Sequence, residues 1–551
     1  MNDIVAGILD TARRTPHATA VIDARGRTLT YEALHRRVLS VLPVLSSSLA
    51  EDPSSLAGSA SGSPAEHASG GSASGGDAAV GDAVARDAAV GDGVVRDALV
   101  GDGGRGVLFA VRPGVDAVVL ALAAVGAGGM LMLAEPGVAP EVFAGRLAAT
   151  RPRWVIAESA LYLLSGPLHA PARRTGLLLP RLGDPLPGHP VRHLHTGRRL
   201  PGVPRHALSL RRLLRHAPAP AHTASAGGDH PAVVVFTSGT TGRPKGVVHT
   251  RGSLARGLAM FGEAFPLGPG DVVHTDQLML GLPALTAGAT WSLPGRAARF
   301  AGELAERRAT HTFCVPVRLD ALLRRSPRLP DTLRHLLLGA APAPPAVLRR
   351  ALAAAPGARV TSVYAMTEAL PIAVASAQDK LACPDGDLLG APLPGVGVRI
   401  ADDGELFVSG PHLALGYLGE PAVTEVATGD LVRLDGRGRL VLLGRKKDMI
   451  LRDGVNIYPG LYEPAIAALP GVAEAAIVGL ADPETGDEEV VLAVVPAPGF
   501  DEARLRKALP DIVDAGALPD RVAALPALPR SGRADKLDRA ALRTLVGPGP
   551  S

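Results

Sequence analysis

The sequence predicts an α/β protein: a large N-terminal α/β domain of several subdomains, followed by a small, mobile α+β C-terminal domain. Three observations predict it. Between Gly106 and Ile400, short apolar runs alternate with longer Ala/Leu/Arg stretches at helical spacing, the pattern of layered strands and helices. Residues 404–443 switch to short strands separated by glycine turns, and the last hundred residues carry an α+β pattern of their own. The chain has 551 residues, 47% hydrophobic and 20% charged, which exceeds one ordinary core and excludes wholesale disorder.

Taken in order, residues 1–45 read as a structured start. Leu29-Thr30-Tyr31 gives a short strand, Thr30 a cap, and EALHRRVLSVL an amphipathic helix. Residues 46–76 are Ser/Gly/Ala-rich and read as linker. DAAVGDAVAR at 77–86 recurs at 87–96 and decays by 106, a duplication with a period too short for a solenoid. The whole of 46–105 is expected to be a solvated, low-complexity insertion. Ala117–Ala134 is uncharged over 18 residues, the length of a membrane span. Gly126, Gly128 and Gly129 divide it, so a buried helix ending near Gly128 and a buried strand at Met130–Leu133 are expected instead. Apolar runs at 153–158, 233–236, 310–317 and 335–339 are further strands. Residues 168–230, rich in Pro, Arg and His, are expected to run over the surface. Asp435-Gly436 marks a hairpin followed by a strand at Arg439–Leu443. The final unit is expected to hold a helix near 460–469, strands at Glu474–Val478 and Val490–Val495, and a helix near 501–509. The change of pattern falls near Gly444–Lys447, between an N-terminal domain of 1–443 and a C-terminal unit of 450–551.

Composition removes several classes of function. With 57 basic against 53 acidic residues, net +4, an extended nucleic-acid surface is not expected, and the slight excess leaves only weak attraction for anions. Cys314 and Cys383 lie far apart and in no CxxC, which argues against a disulfide framework or a cysteine zinc site and fits a reducing, cytoplasmic setting. The N-terminus has no basic segment before an apolar core, so no signal peptide is expected.

The segment richest in chemistry is VVVFTSGTTGRPKGVVHT, residues 233–250. A buried strand runs into a loop holding Thr237, Ser238, Gly239, Thr240, Thr241, Gly242 and Lys245. Glycines let backbone approach an anion, hydroxyls donate to phosphate oxygens, and Lys245 adds charge. It is not a Walker A loop, because Pro244 precedes the lysine and Gly246 follows it. TSGTTGRPKG resembles the phosphate loop of the adenylate-forming superfamily: acyl- and aryl-CoA synthetases, acyl-AMP ligases, nonribosomal peptide adenylation domains and luciferases. Other segments resemble the superfamily in its own order. They are TARRTPHATAVIDARGRTLTYEAL at 11–34, Gly339-Ala340-Ala341-Pro342, Val363-Tyr364-Ala365-Met366-Thr367-Glu368, Thr428-Gly429-Asp430, GRKKDMILRDGVNIYP at 444–459 and LPRSGRADKLDRAAL at 528–542. The similarity spans both ends of the chain and misses mainly 46–105.

The resemblance implies the adenylate-forming enzyme fold, ATP and Mg²⁺, and CoA or a phosphopantetheine carrier as co-substrate. It implies that a carboxylate reacts with ATP to give an acyl-adenylate and pyrophosphate, and that the acyl group then passes to a thiol. Attack on the α-phosphorus builds negative charge, so catalysis is electrostatic and positional. Thr367 would donate to the α-phosphate. Glu368 would hold Mg²⁺, a task suited to a carboxylate, although Thr-Glu is also an ordinary helix start. Gly339, Ala340 and Ala341 would form the loop against which adenine packs, with Tyr364 stacking nearby. Asp430 would accept from the ribose hydroxyls, with Arg445 as a second ribose or phosphate contact. Lys447 would be the hinge, within 444–449, and Gly454 would line the thiol tunnel. Lys536 would reach the region between carboxylate and α-phosphate. Asp535 stands where glycine is usual before that lysine, and in another register Arg533 would hold the slot.

The acid is left open. Leu278, Met279, Leu280 and Leu282 fit either an apolar acyl pocket or core. Asp276 lies near where amino-acid-activating members bind an ammonium group. The expected partners are a small carboxylic acid and, as a candidate, an acyl carrier protein, without nucleic acid and without a membrane span; no carrier-domain motif is present, so a freestanding enzyme is expected. Two alternatives stand beside the acid–thiol ligase: a thiol-independent adenylating enzyme such as a β-lactone or amide synthetase, or an amino-acid adenylation enzyme. From another class, an inactive nucleotide-binding scaffold remains.

Overall fold

The computed structural model describes residues 3–50, 105–134, 138, 140–174, 179–187, 189–215, 227–237, 245–383, 386–452, 455–481, 488–531 and 535–547. Two large sheets dominate. In the thirteen-stranded sheet, the strands 359–366, 335–338, 311–314, 272–274, 290–292 and 19–22 run parallel side by side, and antiparallel hairpins extend both flanks. In the eight-stranded sheet, 231–237, 130–133, 106–110, 152–158, 192–196 and 208–209 are parallel, and 245–250 and 416–417 close one edge antiparallel. Parallel strands need helical crossovers, and these supply the layers that cover the sheets.

The largest core joins helices Ile4–Arg14, Tyr31–Ala50, Val115–Gly126, Arg251–Ala264 and Leu278–Ala287 to strands of both sheets. Few aromatics are available, so Val, Leu and Ala fill most of it, and the polar-tipped exceptions Tyr31, Trp291 and Arg251 are anchored by hydrogen bonds. The fully buried Tyr31 donates its hydroxyl to the Ala289 carbonyl at 2.7 Å. Trp291 donates from Nε1 to the Thr275 carbonyl at 2.9 Å. The fully buried Arg251 pairs with Asp3 at 2.9 Å, and Asp3 also caps the first helix by accepting from Val5 N–H.

The expected helix over the apolar run is Val115–Gly126, and Met130–Leu133 follows as the strand; Gly128 turns the chain with φ +89°. Among the described residues, no helix is long and apolar enough to cross a membrane. Two expectations need correction. The second helix continues to Ala50 instead of giving way to linker at 46, because Leu49 is buried and faces Gly129, where a Cβ would meet its side chain at 3.4 Å. The remainder of the expected insertion, 51–104, lies outside the described residues. Residues 168–230 are not surface throughout. Arg192–Thr196 is a buried strand, and its histidines are tolerated because burial lowers their pKa values, His193 to about 4, keeping the rings neutral.

After Arg445 the strands belong to separate sheets. Val472–Ala481, Glu488–Pro496 and Arg521–Ala524 form one, and Ile450–Arg452 pairs with Val455–Ile457. Ile450, Ile466, Ile477 and Leu492 build a distinct small core. The expected helices are found at Pro459–Ala467 and Glu502–Ala508, and Arg539–Val546 is an additional one, capped by Asp538. Large and small domains are therefore both present.

Candidate active site

The candidate site is assembled from four stretches of chain. The first is the hairpin of Pro231–Thr237 and Lys245–Thr250, whose register sets Thr237 opposite Lys245 at the mouth of the loop. Ser238, Gly239, Thr240, Thr241 and Gly242 lie outside the described residues. Gly246 fits closely here: a Cβ would meet the side chains of Phe236 and Val234 at 3.0 Å, so they would have to give way. The Lys245 ammonium sits 4.7 Å from the centre of the Tyr417 ring, a cation–π contact.

The second is the hairpin of Arg359–Met366 and Ala369–Ser376. Met366 pairs with Ala369, so Thr367 and Glu368 form the tight turn between the strands rather than a helix start. The turn is braced from the other sheet. His249 Nε2 lies 2.7 Å from the Thr367 carbonyl. A carbonyl can only accept, so this nitrogen carries the proton, and burial lowers the pKa of His249. Ala414 N–H donates to the Glu368 carbonyl at 2.8 Å. Tyr417 donates its hydroxyl to Glu368 Oε1 at 3.0 Å. Tyr417 thus touches both Lys245 and Glu368.

The third holds Asp430, 2% exposed, on the strand Glu425–Leu434 opposite Arg445. Tyr364 donates its hydroxyl to Asp430 Oδ2 at 2.6 Å, and Arg445 Nε lies 2.7 Å from Oδ1. Among the described residues no donor is aligned to hydrogen-bond Oδ1, so this buried carboxylate oxygen keeps accepting capacity beside its ion pair with Arg445. Burial pushes the Asp430 carboxyl pKa up, against the opposing pull of Arg445, Tyr364 and Lys536. The local backbone is pinned. Gly429, at φ +69°, donates to Glu405 Oε1, and Lys446 bridges Asp403 at 2.6 Å and Glu405 at 2.7 Å.

Gly339, Ala340 and Ala341 follow the strand His335–Leu338, which lies between the strands carrying Phe313 and Tyr364. All three strands are parallel, so their carboxyl ends lie together at one edge of the sheet, where such sheets usually bind ligands. A Cβ at Gly339 would meet the Phe313 ring at 2.9 Å. Ala340 has φ +66°, a left-handed conformation that costs a non-glycine residue energy.

The fourth is the short hairpin of Arg530–Ser531 and Lys536–Leu537. The Lys536 ammonium has its pKa lowered by burial, then by Arg445 and Lys447, while Asp430 opposes the shift. Lys536 is therefore gathered with Asp430 and Arg445, although the residue as a whole stays exposed. Asp535 has φ +50°. The position where glycine was expected does demand a left-handed backbone, and Asp tolerates it better than most residues. Arg533 lies outside the described residues, as does Gly454. Lys447 is exposed, in the single turn Lys446–Asp448.

In the expected acyl-pocket segment, Leu280 belongs to the core at 2% exposed, whereas Leu278 is 50% exposed. Met279 and Leu282 pack partly against the core. Asp276 is exposed and accepts from Gln277 Nε2 at 3.0 Å. Neither Cys314 nor Cys383 is in a disulfide bond. Among the described residues, no three His, Cys, Asp or Glu side chains converge on a metal position. Glu368 stands as a single carboxylate, which suits a hard cation shared with phosphate oxygens. Sequence reading missed Tyr417, His249 and the Glu405–Lys446 brace. The available signal was Tyr417 itself, one of six tyrosines, flanked by Gly416 and Gly419.

The AMP-binding enzyme family matches residues 93–418, and the AMP-binding enzyme C-terminal domain matches residues 462–534. The chain belongs to the AMP-binding enzyme family. It is 31% identical to an indoleacetate–CoA ligase of Aromatoleum aromaticum over 55% of this chain and 65% of that protein. It is 33% identical to a feruloyl-CoA synthase of an Amycolatopsis species, over 53% of this chain and 66% of that protein. It is also 32% identical to a probable non-canonical nonribosomal peptide synthetase of Salinispora arenicola, over 57% of this chain but 4% of that protein. The chain thus spans less than two thirds of these relatives' lengths. Among solved structures, the fold is shared with the amide bond synthetase McbA from Marinactinospora thermotolerans, with TM-score 0.74, 24% identity, and coverage of 98% of this chain and 99% of that one. It is shared too with ATP-bound MatB from Rhodopseudomonas palustris, with TM-score 0.73, 24% identity and 98% of both chains.

Proposed function

We propose that this chain activates a small carboxylic acid with ATP and passes the acyl group to the thiol of CoA or of a carrier's phosphopantetheine. The observation that carries the reading is the buried Asp430 carboxylate. It is held by Tyr364 and Arg445, has unused capacity at Oδ1, and has Lys536 in its field. A ribose hydroxyl would supply the missing donor. In the first half-reaction the carboxylate oxygen forms a bond to the α-phosphorus of ATP, and the bond to the departing pyrophosphate breaks. Lys245, the loop hydroxyls and Thr367 would meet the phosphates, and Lys536 would offset charge building at the α-phosphorus. Glu368 would hold Mg²⁺, which when bound neutralises phosphate oxygens. In the second half-reaction a thiolate attacks the acyl carbon and AMP leaves. We place the hinge at 444–449, about Lys447, between a domain of 1–443 and a cap of 450–551, with Gly454 on the thiol's path. The named ligase activities of the relatives support the thiol step. The absence of a CxxC supports a reducing, cytoplasmic setting.

ATP–pyrophosphate exchange over a panel of acids tests the first step, and thioester formation on adding CoA tests the second. Glu368→Gln should slow exchange by roughly 10²-fold, the scale of a lost electrostatic stabiliser. ATP binding without exchange on any acid would point to a scaffold. Exchange without acceptance by any thiol would point to the thiol-independent reading.

A further inference from the structure

The strand Arg192–Thr196 lies four strands from the phosphate-loop strand in the eight-stranded sheet, roughly 19 Å at ordinary interstrand spacing. Beyond its end the surface opens into a cavity of about 810 Å³, a size typical of small-molecule sites. Arg198, Arg199, Arg205, Arg211 and Arg212 line it, all exposed, and among the described residues no carboxylate does. Arginine is abundant in this chain, so its presence alone says little. Their convergence is the informative property. Some exposed arginines elsewhere find acids, as Arg27 does with Asp23 and Arg112 with Glu158, and others, such as Arg25, Arg325 and Arg437, stand singly, whereas here five line one hollow. Among the described residues, Arg198, Arg205, Arg211 and Arg212 have no such partner. Arg199 donates to the carbonyls of Val203 and Pro204, which fixes its guanidinium at the wall.

Like charges held around one hollow repel, and an entering anion relieves that repulsion. The field reaches the inner wall. His195, which hydrogen-bonds Ser159 at 2.9 Å, has its pKa lowered by burial and then by Arg199. Val44, Leu208 and Leu213 give the cavity an apolar floor, and Ser40 and Ser209 add hydroxyls. We propose that this cavity is a second ligand site, separate from the adenylation site, for a small ester bearing two or more phosphate groups together with an apolar or ring portion. Guanidinium forks match phosphate oxygens two at a time, the floor suits a ring, and a hollow of this size fits a small molecule better than the flat face of a protein.

The full chain is titrated calorimetrically with inorganic tripolyphosphate and with GTP at fixed moderate salt. Two saturable tripolyphosphate sites are expected. One should be lost in Lys245→Ala, and the other should weaken at least tenfold in Arg211→Ala/Arg212→Ala with the thermal midpoint unchanged. Arg211→Lys/Arg212→Lys should weaken it less, because charge is kept and only the fork is lost. GTP should bind the second site more tightly than tripolyphosphate does. If the paired variant is unstable, Arg205→Glu, in the connecting segment, gives the same readout. A single site, lost in Lys245→Ala and indifferent to the cavity arginines, would overturn the proposal. So would saturable binding of polyglutamate without any of tripolyphosphate, which would make the hollow a docking surface for an acidic protein.

Discussion

Replacing Asp430 with Asn keeps the shape of the side chain and removes the charge on which the ribose reading depends. Asp430 is 2% exposed, with Tyr364 at 2.6 Å on one oxygen and Arg445 at 2.7 Å beside the other. A hydrogen bond to a charged acceptor contributes about 1.5–3 kcal/mol, and one between neutral groups about 1 kcal/mol. The difference, about 0.5–2 kcal/mol, corresponds to roughly two- to thirtyfold in affinity. The Arg445 ion pair adds little to this figure, because its side chain is 48% exposed and can be rehydrated. The assay is equilibrium titration of the full chain with ATP, 2′-deoxy-ATP and 3′-deoxy-ATP. In the unmodified protein, the analogue lacking the partnered hydroxyl should bind roughly ten- to 150-fold more weakly than ATP, the worth of one bond to a charged acceptor. In Asp430→Asn that gap should close to about fivefold, since only a neutral bond is lost. An equal deoxy penalty in both proteins would refute the assignment. A uniform loss for all three nucleotides, with a lowered thermal midpoint, would show that Asp430 only supports the fold.

The lowered pKa of Lys536 means that its ammonium gives up its proton at lower pH than an ordinary lysine. The alkaline limb of exchange should therefore fall below the usual lysine range and move upward in Lys536→Arg; an unmoved limb would assign the titration elsewhere. Tyr417→Phe removes the bond to Glu368 while keeping the ring under Lys245. Exchange should drop roughly five- to tenfold, the worth of about one hydrogen bond, and half-saturating Mg²⁺ should rise; an unchanged Mg²⁺ dependence would separate Tyr417 from the metal. A deletion joining Ala50 to Arg105 should keep the thermal midpoint and exchange. Joining Leu45 to Gly106 instead removes the buried Leu49 and should cost about 2–5 kcal/mol, read as a lower midpoint; equal midpoints would show that the helix end carries no weight.

Much of this was legible in the sequence, for identifiable reasons. Runs such as Val233–Phe236 and Met130–Leu133 are continuously apolar, and all but Leu133 are buried or half-buried, so they read as strands. Thr367-Glu368 and Thr428-Gly429-Asp430 sit next to each other in sequence as the site needs them, so short patterns carried them. Arg192–Thr196 was missed because its burial depends on histidines held neutral by their surroundings, which no hydropathy pattern encodes. Tyr417 and His249 were missed because they act on Glu368 and Thr367 from 49 and 118 residues away. Such contacts follow from how the two sheets meet, and no local window contains them. Asp535 shows the reverse case: an oddity in the sequence became intelligible once its backbone angle was known.

Tyr417 has a consequence beyond bonding. Lys245 belongs to one sheet and Glu368 to the other, and a single rigid ring spans them, with its face under the ammonium and its hydroxyl on the carboxylate. An aromatic ring cannot stretch, so it acts as a gauge block, setting the gap between the positive and negative elements that a polyphosphate and its cation would have to fit. Slippage between the sheets would register first as a change in that gap. A shorter side chain at 417 would let the two drift independently, and the first property lost would be discrimination between nucleotides of different phosphate length, before any loss of fold.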